Sequence, residues 1–120
     1  MTSRLTEVAI SCADPAALAQ FWCAVLDYEV QDDEGEYVAI GSPTDAEAPT
    51  LGFGRVPEGK TVKNRLHLDV SPSDRDQQEE VRRLLDLGAR RIDIGQGDVS
   101  WVVMADPEGN EFCVLATRRP

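Results

Sequence analysis

The sequence predicts an α+β fold in which two β-α-β-β-β modules form one curved mixed sheet with the helices on its outer face. The first observation is length, because 120 residues suit a single domain. The second is internal repetition: each half opens with an apolar strand, continues with a capped amphipathic helix and closes with short strands between turn formers. Neither half buries its sheet alone, so we expect the modules to pair around a concave surface, the usual place for a ligand.

The first module begins with a strand predicted over residues 5–12 and a helix that starts at Asp14 and Pro15. Aspartate is a good N-cap acceptor, and proline suits the first helical position because its missing N–H would have no partner there. Apolar residues at spacings of three and four predict the buried face of this helix: Leu18, Phe21, Trp22, Val25 and Leu26. Strands are then predicted over residues 28–31, 37–40 and 51–56.

The second module repeats this order, starting with a strand predicted over residues 66–70. Ser73 with Asp76 has the pattern of a capping box, which predicts the start of a second helix. The buried face and the stop of this helix are expected at Val81, Leu84, Leu85 and Gly88. The remaining strands are predicted over residues 90–94, 101–105 and 111–116. We therefore expect one domain over residues 1–120, with module 1 over about 1–57, a linker over 58–63 and module 2 over about 64–120.

The chain is acidic, with 12 Lys and Arg against 22 Asp and Glu and a net charge of -10. Such a surface repels phosphate backbones, so we expect no nucleic-acid partner. The charge either attracts neutral or cationic small molecules or, as the favoured alternative, only keeps the protein soluble. There is no signal-peptide pattern and no apolar run near the ~18 residues of a membrane span, which predicts a cytoplasmic protein without a membrane partner. The cysteines are odd in number and far apart, and predict neither a disulfide framework nor structural zinc: Cys12, Cys23 and Cys113.

Three stretches carry a family resemblance, and in this order they cover nearly the whole chain. The first is E-V-A-I-S-C-A-D-P from residue 7, followed by F-W-x-x-V-L from residue 21. The second is K-N-R-L-H-L-D-V from residue 63, and the third is A-D-P-E-G-N-E-F-C-V-L from residue 105. Together they resemble the glyoxalase/bleomycin-resistance family, and its glyoxalase-like domains, in the vicinal oxygen chelate superfamily. The resemblance implies the same paired-module fold and a homodimer.

The resemblance also implies where a metal would lie in metal-dependent members: on four side chains, usually His and Glu, from the first and fourth strand of each module. In this sequence the first-strand positions match Glu7 and Arg65. The fourth-strand positions match Gly52 or Gly54, and Cys113. Arginine has no lone pair to donate and glycine has no side chain. We therefore expect no metal and no cofactor.

Side chains of the strand over residues 66–70 alternate between the two faces of the sheet. We expect the apolar set under the helix: Leu66, Leu68 and Val70. The polar set is expected to face the concave side: Arg65, His67 and Asp69. His67 is the only histidine, and with Asp69 nearby it is the first candidate for proton transfer, although a structural role is the alternative.

Glu111 is the second candidate for proton transfer, or else a solvated residue at the start of its strand. Arg65 is expected either to pair with Glu7 in place of the metal or to hold a ligand oxygen. Trp101 and Cys113 are expected to line the cavity. A rearranged metal site would combine the remaining donors: Glu7, His67 and Glu111.

Two functions compete at this point, and a structural or regulatory interaction module with an empty cavity is a third possibility. The first is a metal-independent protein that binds a small organic metabolite or drug in the concave cleft. The second is a lyase or isomerase that moves a proton next to a carbonyl, with His67 or Glu111 as the acid or base and Arg65 near the developing oxyanion. Whether the protein is an enzyme stays open in the sequence.

Overall fold

Two units with the same order of elements make up the computed structural model, which describes residues 1–120. The first unit is Met1–Gly59 and the second is Lys60–Pro120. Each contains one helix and one mixed sheet of four strands in the order β-α-β-β-β. The predicted α+β class with two such modules is therefore confirmed. Neither helix is long and apolar enough to cross a membrane.

The first unit consists of β1 (Glu7–Cys12), α1 (Pro15–Leu26), β2 (Glu29–Asp33), β3 (Tyr37–Gly41) and β4 (Thr50–Arg55). Its sheet has the order β1-β4-β3-β2, so the first strand pairs with the last. The β1–β4 pair is parallel and the other pairs are antiparallel. A parallel pair needs a long connection, which here contains α1 and the two intervening strands.

The predicted start of α1 is confirmed in detail. Asp14 is the N-cap and its carboxylate accepts a hydrogen bond from the Ala17 N–H, while Pro15 takes the first helical position. The helix ends at Asp27, whose φ of 58° is left-handed. The buried face packs on β3 and β4, and it matches the predicted stripe except that Leu26 is half-buried: Leu18, Phe21, Trp22 and Val25.

The second unit consists of β5 (Leu68–Val70), α2 (Gln77–Leu87), β6 (Arg90–Arg91), β7 (Val102–Ala105) and β8 (Glu111–Val114). The strand order β5-β8-β7-β6 repeats that of the first unit, again with a parallel outer pair. Gly88 ends α2 with a φ of 117°, as predicted, because only glycine adopts that conformation without strain.

The capping box of α2 lies three residues later than predicted. Asp76, not Ser73, is the N-cap, and its partner is Glu79: each side chain accepts a hydrogen bond from the backbone N–H of the other. The predicted box had aspartate in the second position, whereas the longer glutamate reaches back to the cap. Val81 and Leu84 are buried as predicted, but Leu85 is 38% exposed because it lies at the edge of the stripe.

Leu66 does not lie under the helix, which corrects the predicted strand over residues 66–70. It is 84% exposed and precedes β5, which begins at Leu68. The reason is the partner strand: Leu68 pairs with Phe112, and β8 begins one residue earlier at Glu111, so residues 65–66 have no strand to pair with. Trp101 similarly precedes β7 and is 42% exposed.

Candidate functional site

The polar face of the second sheet brings together three side chains that could carry chemistry. Asp69 on β5 stands opposite Cys113 on β8 in the parallel ladder. His67 lies two residues before Asp69, and its Nε2 is 3.2 Å from the aspartate Oδ1. One possible ligand atom from each residue, imidazole nitrogen, carboxylate oxygen and sulfur, lies within 4.8 Å of the other two. We call these residues, His67, Asp69 and Cys113, the His67 cluster.

Two members of this cluster are exposed to solvent and the third is buried. The side chains of His67 and Asp69 are 44% and 50% exposed, whereas Cys113 is buried at 5%. Burial raises the pKa of the Cys113 thiol, and the charge and hydrogen bond of Asp69 raise it further, against a smaller opposing effect of Lys63. Cys113 is therefore a neutral thiol at neutral pH and a poor nucleophile.

Glu111 occupies a different environment from the one the sequence suggested. Its side chain is 9% exposed, and its two oxygens accept hydrogen bonds from the Lys60 ammonium at 2.7 Å and the Asn64 N–H at 3.0 Å. Burial by itself raises the pKa of this carboxyl, but the bonds from Lys60 and Asn64 outweigh it and lower the pKa. A carboxylate held ionised by two donors is a structural anchor, and this geometry argues against a role in proton transfer.

The D-P-E-G-N turn explains how that anchor is positioned. The buried Asp106 carboxylate accepts hydrogen bonds from the backbone of Glu108 and Asn110 and from the Asn110 amide. Asn110 in turn accepts a bond of 2.8 Å from the Asn64 side chain. The turn therefore ties the segment that carries Lys60 to the start of β8. In this chain the motif that is most recognisable in the sequence is a structural one.

A groove of about 410 Å³ adjoins this anchor, within the second unit. Lys60, Lys63 and Arg90 are among its lining residues, together with Ile92 and Pro107. Sequence reasoning missed it because its cations are up to 30 residues apart and belong to no local motif.

Glu7 in the first unit is already engaged. The Tyr37 hydroxyl donates a hydrogen bond to its Oε2, across the space beside Gly52. A Cβ atom at Gly52 would overlap the Tyr37 hydroxyl and lie 2.8 Å from the same glutamate oxygen. The missing side chain of Gly52 is thus what admits the phenol.

The hydrogen bond between Tyr37 and Glu7 leads to a spectroscopic prediction. The hydrogen bond to Glu7, then burial and the glutamate charge, raise the pKa of Tyr37 to about 12. In a tyrosinate absorbance titration, the Tyr37 phenol should therefore remain largely protonated near pH ~11, above the usual tyrosine value of ~10. Glu7→Gln should return the titration of this residue towards ~10. Tyr37→Phe, which leaves Tyr28 as the only tyrosine, identifies the signal; a Tyr37 titration unchanged in Glu7→Gln would contradict the contact.

The strand register revises the position that corresponds to Glu7 in the second unit. In the first unit Glu7 lies one residue before Val8, which pairs with Leu51, and Gly52 is the residue after Leu51. In the second unit His67 lies one residue before Leu68, which pairs with Phe112, and Cys113 is the residue after Phe112. His67, rather than Arg65, is thus the internal equivalent of Glu7.

The donors at these positions do not fit a hard divalent ion. In the first unit one position is an engaged carboxylate and the other a glycine. In the second unit the donors are an imidazole and a protonated thiol, with Asp69 beside them. Imidazole and sulfur suit zinc rather than magnesium or manganese. A hard-ion centre is therefore not built into either unit.

The other predicted site residues are not gathered at the His67 cluster. Arg65 and Trp101 are exposed and lie outside the strands. The proposed pairing of Arg65 with Glu7, and the rearranged metal site of Glu7, His67 and Glu111, would each join residues of both units and stay predictions.

Comparison with known proteins places this geometry in context. A family model described as a glyoxalase-like domain matches residues 7–115. A glyoxalase/bleomycin resistance protein/dioxygenase family enzyme from Burkholderia phytofirmans PsJN is 21% identical at a TM-score of 0.63, covering 93% of this chain and 97% of that one. A possible glyoxalase from Bacillus cereus is 14% identical at 0.68, covering 96% and 100%.

A third similar structure is a mutant of the fosfomycin resistance protein FosX from Listeria monocytogenes, complexed with Mn(II) and 1S,2S-dihydroxypropylphosphonic acid. It is 14% identical at a TM-score of 0.71, covering 97% of this chain and 91% of that one. No curated protein matches this chain by sequence. At these identities the structures show a shared fold.

Proposed function

Because the chain belongs to the glyoxalase-like domain family of the vicinal oxygen chelate group, we propose that it binds a small organic molecule at the His67 cluster without a metal ion. The observation that carries the proposal is the exposed imidazole–carboxylate pair of His67 and Asp69, 3.2 Å apart, beside a buried thiol. Polar groups that converge on one face of a sheet offer a ligand hydrogen bonds and fix its orientation.

The independence from metal rests on donor chemistry. Glycine at position 52 offers no ligand atom, and Glu7 is hydrogen-bonded to Tyr37. Cys113 is a neutral thiol, so metal binding there would first have to displace its proton. The FosX neighbour shows that this fold accommodates a small organic acid, although in that protein together with Mn(II).

An enzyme is the second candidate, and one observation favours it. A carboxylate next to an imidazole fixes the orientation of the ring, an arrangement used by general bases. His67 could then take a proton next to a carbonyl, with Asp69 as its orienting partner. Glu111 is the weaker choice because both its oxygens hold other donors.

The test begins with a thermal-shift screen of metabolites and cationic antibiotics, since a ligand that binds only the folded state raises Tm. Any compound found is then titrated calorimetrically into the wild type and into His67→Ala. We expect a loss of about tenfold in affinity, or ~1.4 kcal/mol, because the imidazole contributes a direct polar contact. Arg82→Gln is the matched control, since Arg82 is exposed on α2.

Two results would decide against the proposal. One is elemental analysis that finds one divalent ion per purified chain, lost in Cys113→Ser. The other is an affinity that His67→Ala leaves unchanged. Incubation of the ligand with the protein, followed by NMR, separates the binding protein from the enzyme. A binding protein leaves the compound intact, whereas an enzyme converts it, and the His67→Ala variant should not.

A further inference from the structure

The groove of the second unit is cationic although the chain is not. The whole protein carries a net charge of -10, yet Lys60, Lys63 and Arg90 line this one groove. The acidic residues that line it are Glu108 and Glu111. The groove therefore has one positive charge in excess, which is opposite in sign to the net charge of the chain.

The three cations differ in how many of their N–H donors remain available to a ligand. Lys60 is committed, since its ammonium donates to Glu111 and to the Val62 carbonyl, both at 2.7 Å. Lys63 donates only to the Asn64 carbonyl at 3.3 Å and keeps further N–H groups. Arg90 is exposed, and its guanidinium has no hydrogen-bond or ion-pair partner in the chain. The available donors are thus those of Lys63 and Arg90.

The floor and the walls of the groove leave room for a small ligand. Ala105 is paired with Arg90 on one side and with Glu111 on the other, so a methyl group forms the floor between two charged neighbours. Ile92 and Pro107 supply apolar wall. A volume of about 410 Å³ lies within the range of small-molecule sites, ~300–1,000 Å³.

The groove also adjoins the His67 cluster on the same face of the sheet. Glu111 and Cys113 are alternate residues of β8 and therefore point to one side. The Lys63 ammonium is near enough to Cys113 to oppose the rise in its pKa. One ligand could thus contact both the available cations and the imidazole.

We propose that the ligand of this protein is a small organic anion whose carboxylate or phosphonate oxygens bind Lys63 and Arg90. This inference rests on the proposed function and adds the chemical class of the ligand. The short apolar part of the anion lies against Ile92 and Pro107, and its other end faces His67. This differs from the expectation, based on net charge, of a neutral or cationic ligand.

The experiment uses four probes with the wild-type chain: butyrate, propylphosphonate, inorganic phosphate and the uncharged analogue butyramide. Binding is measured by chemical-shift changes in ¹H–¹⁵N NMR spectra during titration. We expect both organic anions to bind and to shift resonances of residues 60–63 and 90–92, while butyramide does not bind. Affinity should fall with added salt, because partly exposed charges are screened.

The variants Lys63→Gln and Arg90→Gln remove each charge at similar side-chain length. Each should weaken binding of both organic anions about tenfold, or ~1.4 kcal/mol, as expected for the loss of one charge-assisted hydrogen bond. Arg82→Gln on the exposed surface of α2 removes the same charge elsewhere in the unit and should change little.

The outcomes distinguish this inference from the proposed function. Equal binding of butyramide and butyrate, or affinities unchanged in both groove variants, would overturn the anion assignment. Binding of inorganic phosphate alone would also overturn it, because the groove would then hold an adventitious ion only. If the screen yields a neutral or cationic ligand that depends on His67, the anion assignment fails while the proposed function stands. If organic anions bind through Lys63 and Arg90 but no ligand depends on His67, the anion assignment is supported and the proposed function at the His67 cluster fails.

Discussion

Glu111→Ala should lower the free energy of unfolding by about 3 kcal/mol, although the residue forms no part of the hydrophobic core. The change leaves the Lys60 ammonium, whose side chain is 20% exposed, without its carboxylate, and it removes the acceptor of the Asn64 N–H. Breaking a buried pair from one side costs ~3–5 kcal/mol because an uncompensated charge remains. We place the effect at the lower end because the groove admits some solvent. Urea unfolding at neutral pH measures it.

The control for this prediction is Glu58→Ala, which removes an exposed carboxylate from the same part of the chain and should change stability by less than ~0.5 kcal/mol. The double variant Lys60→Ala with Glu111→Ala should lose less than the sum of the two single changes, by at least ~0.5 kcal/mol, because the unpaired charge is gone. Strict additivity would mean that the two side chains do not interact.

Acid provides an independent measurement of the same pair. The folded-state pKa of Glu111 is below its usual value of 4.5, so as pH falls the unfolded chain binds the proton first. The contribution of the pair is therefore present above that value and is lost as pH falls through the lowered folded-state pKa. The difference in stability between the wild type and Glu111→Ala should accordingly be constant at neutral pH and narrow as pH falls below 4.5. A constant difference would assign the cost to packing alone.

Local signals in the sequence predicted much of the fold. Asp14 and Pro15 marked the start of α1 because capping depends on adjacent residues, and Gly88 marked the end of α2 for the same reason. Strand ends were less accurate because they depend on a partner. Leu66 has the right residue type for a strand, but β8 does not extend far enough to pair with it.

In the candidate site, too, residues of one strand were predictable from the sequence, whereas residues brought together by strand pairing were not. The shared face of His67 and Asp69 follows from alternation within one strand, and the structure brings them together. Cys113 joins them through a pairing of strands more than 40 residues apart, which composition alone does not specify. Lys63 and Arg90 had no signal at all, since what makes them notable is that both line one groove and keep N–H donors available in the folded chain.

Gly52→Ala should be the second strongly destabilising change, at about 2 kcal/mol, even though it adds a single methyl group. The residue is buried, and its Cβ would overlap the Tyr37 hydroxyl and lie 2.8 Å from Glu7 Oε2. The tyrosine must move, so the strain of overpacking adds to the loss of its hydrogen bond with Glu7. Thermal and urea unfolding should show the loss with an unchanged m-value.

Gly59→Ala is the matched control, because a Cβ there has no neighbour within 4 Å and glycine loses more backbone entropy than alanine on folding. It should be neutral or stabilising by ~0.4–1 kcal/mol. The double variant Gly52→Ala with Tyr37→Ala should be more stable than the sum of the two single losses predicts, since removing the ring vacates the space that the new methyl group needs. If the losses simply add, the cost of Gly52→Ala comes from the backbone and not from the phenol.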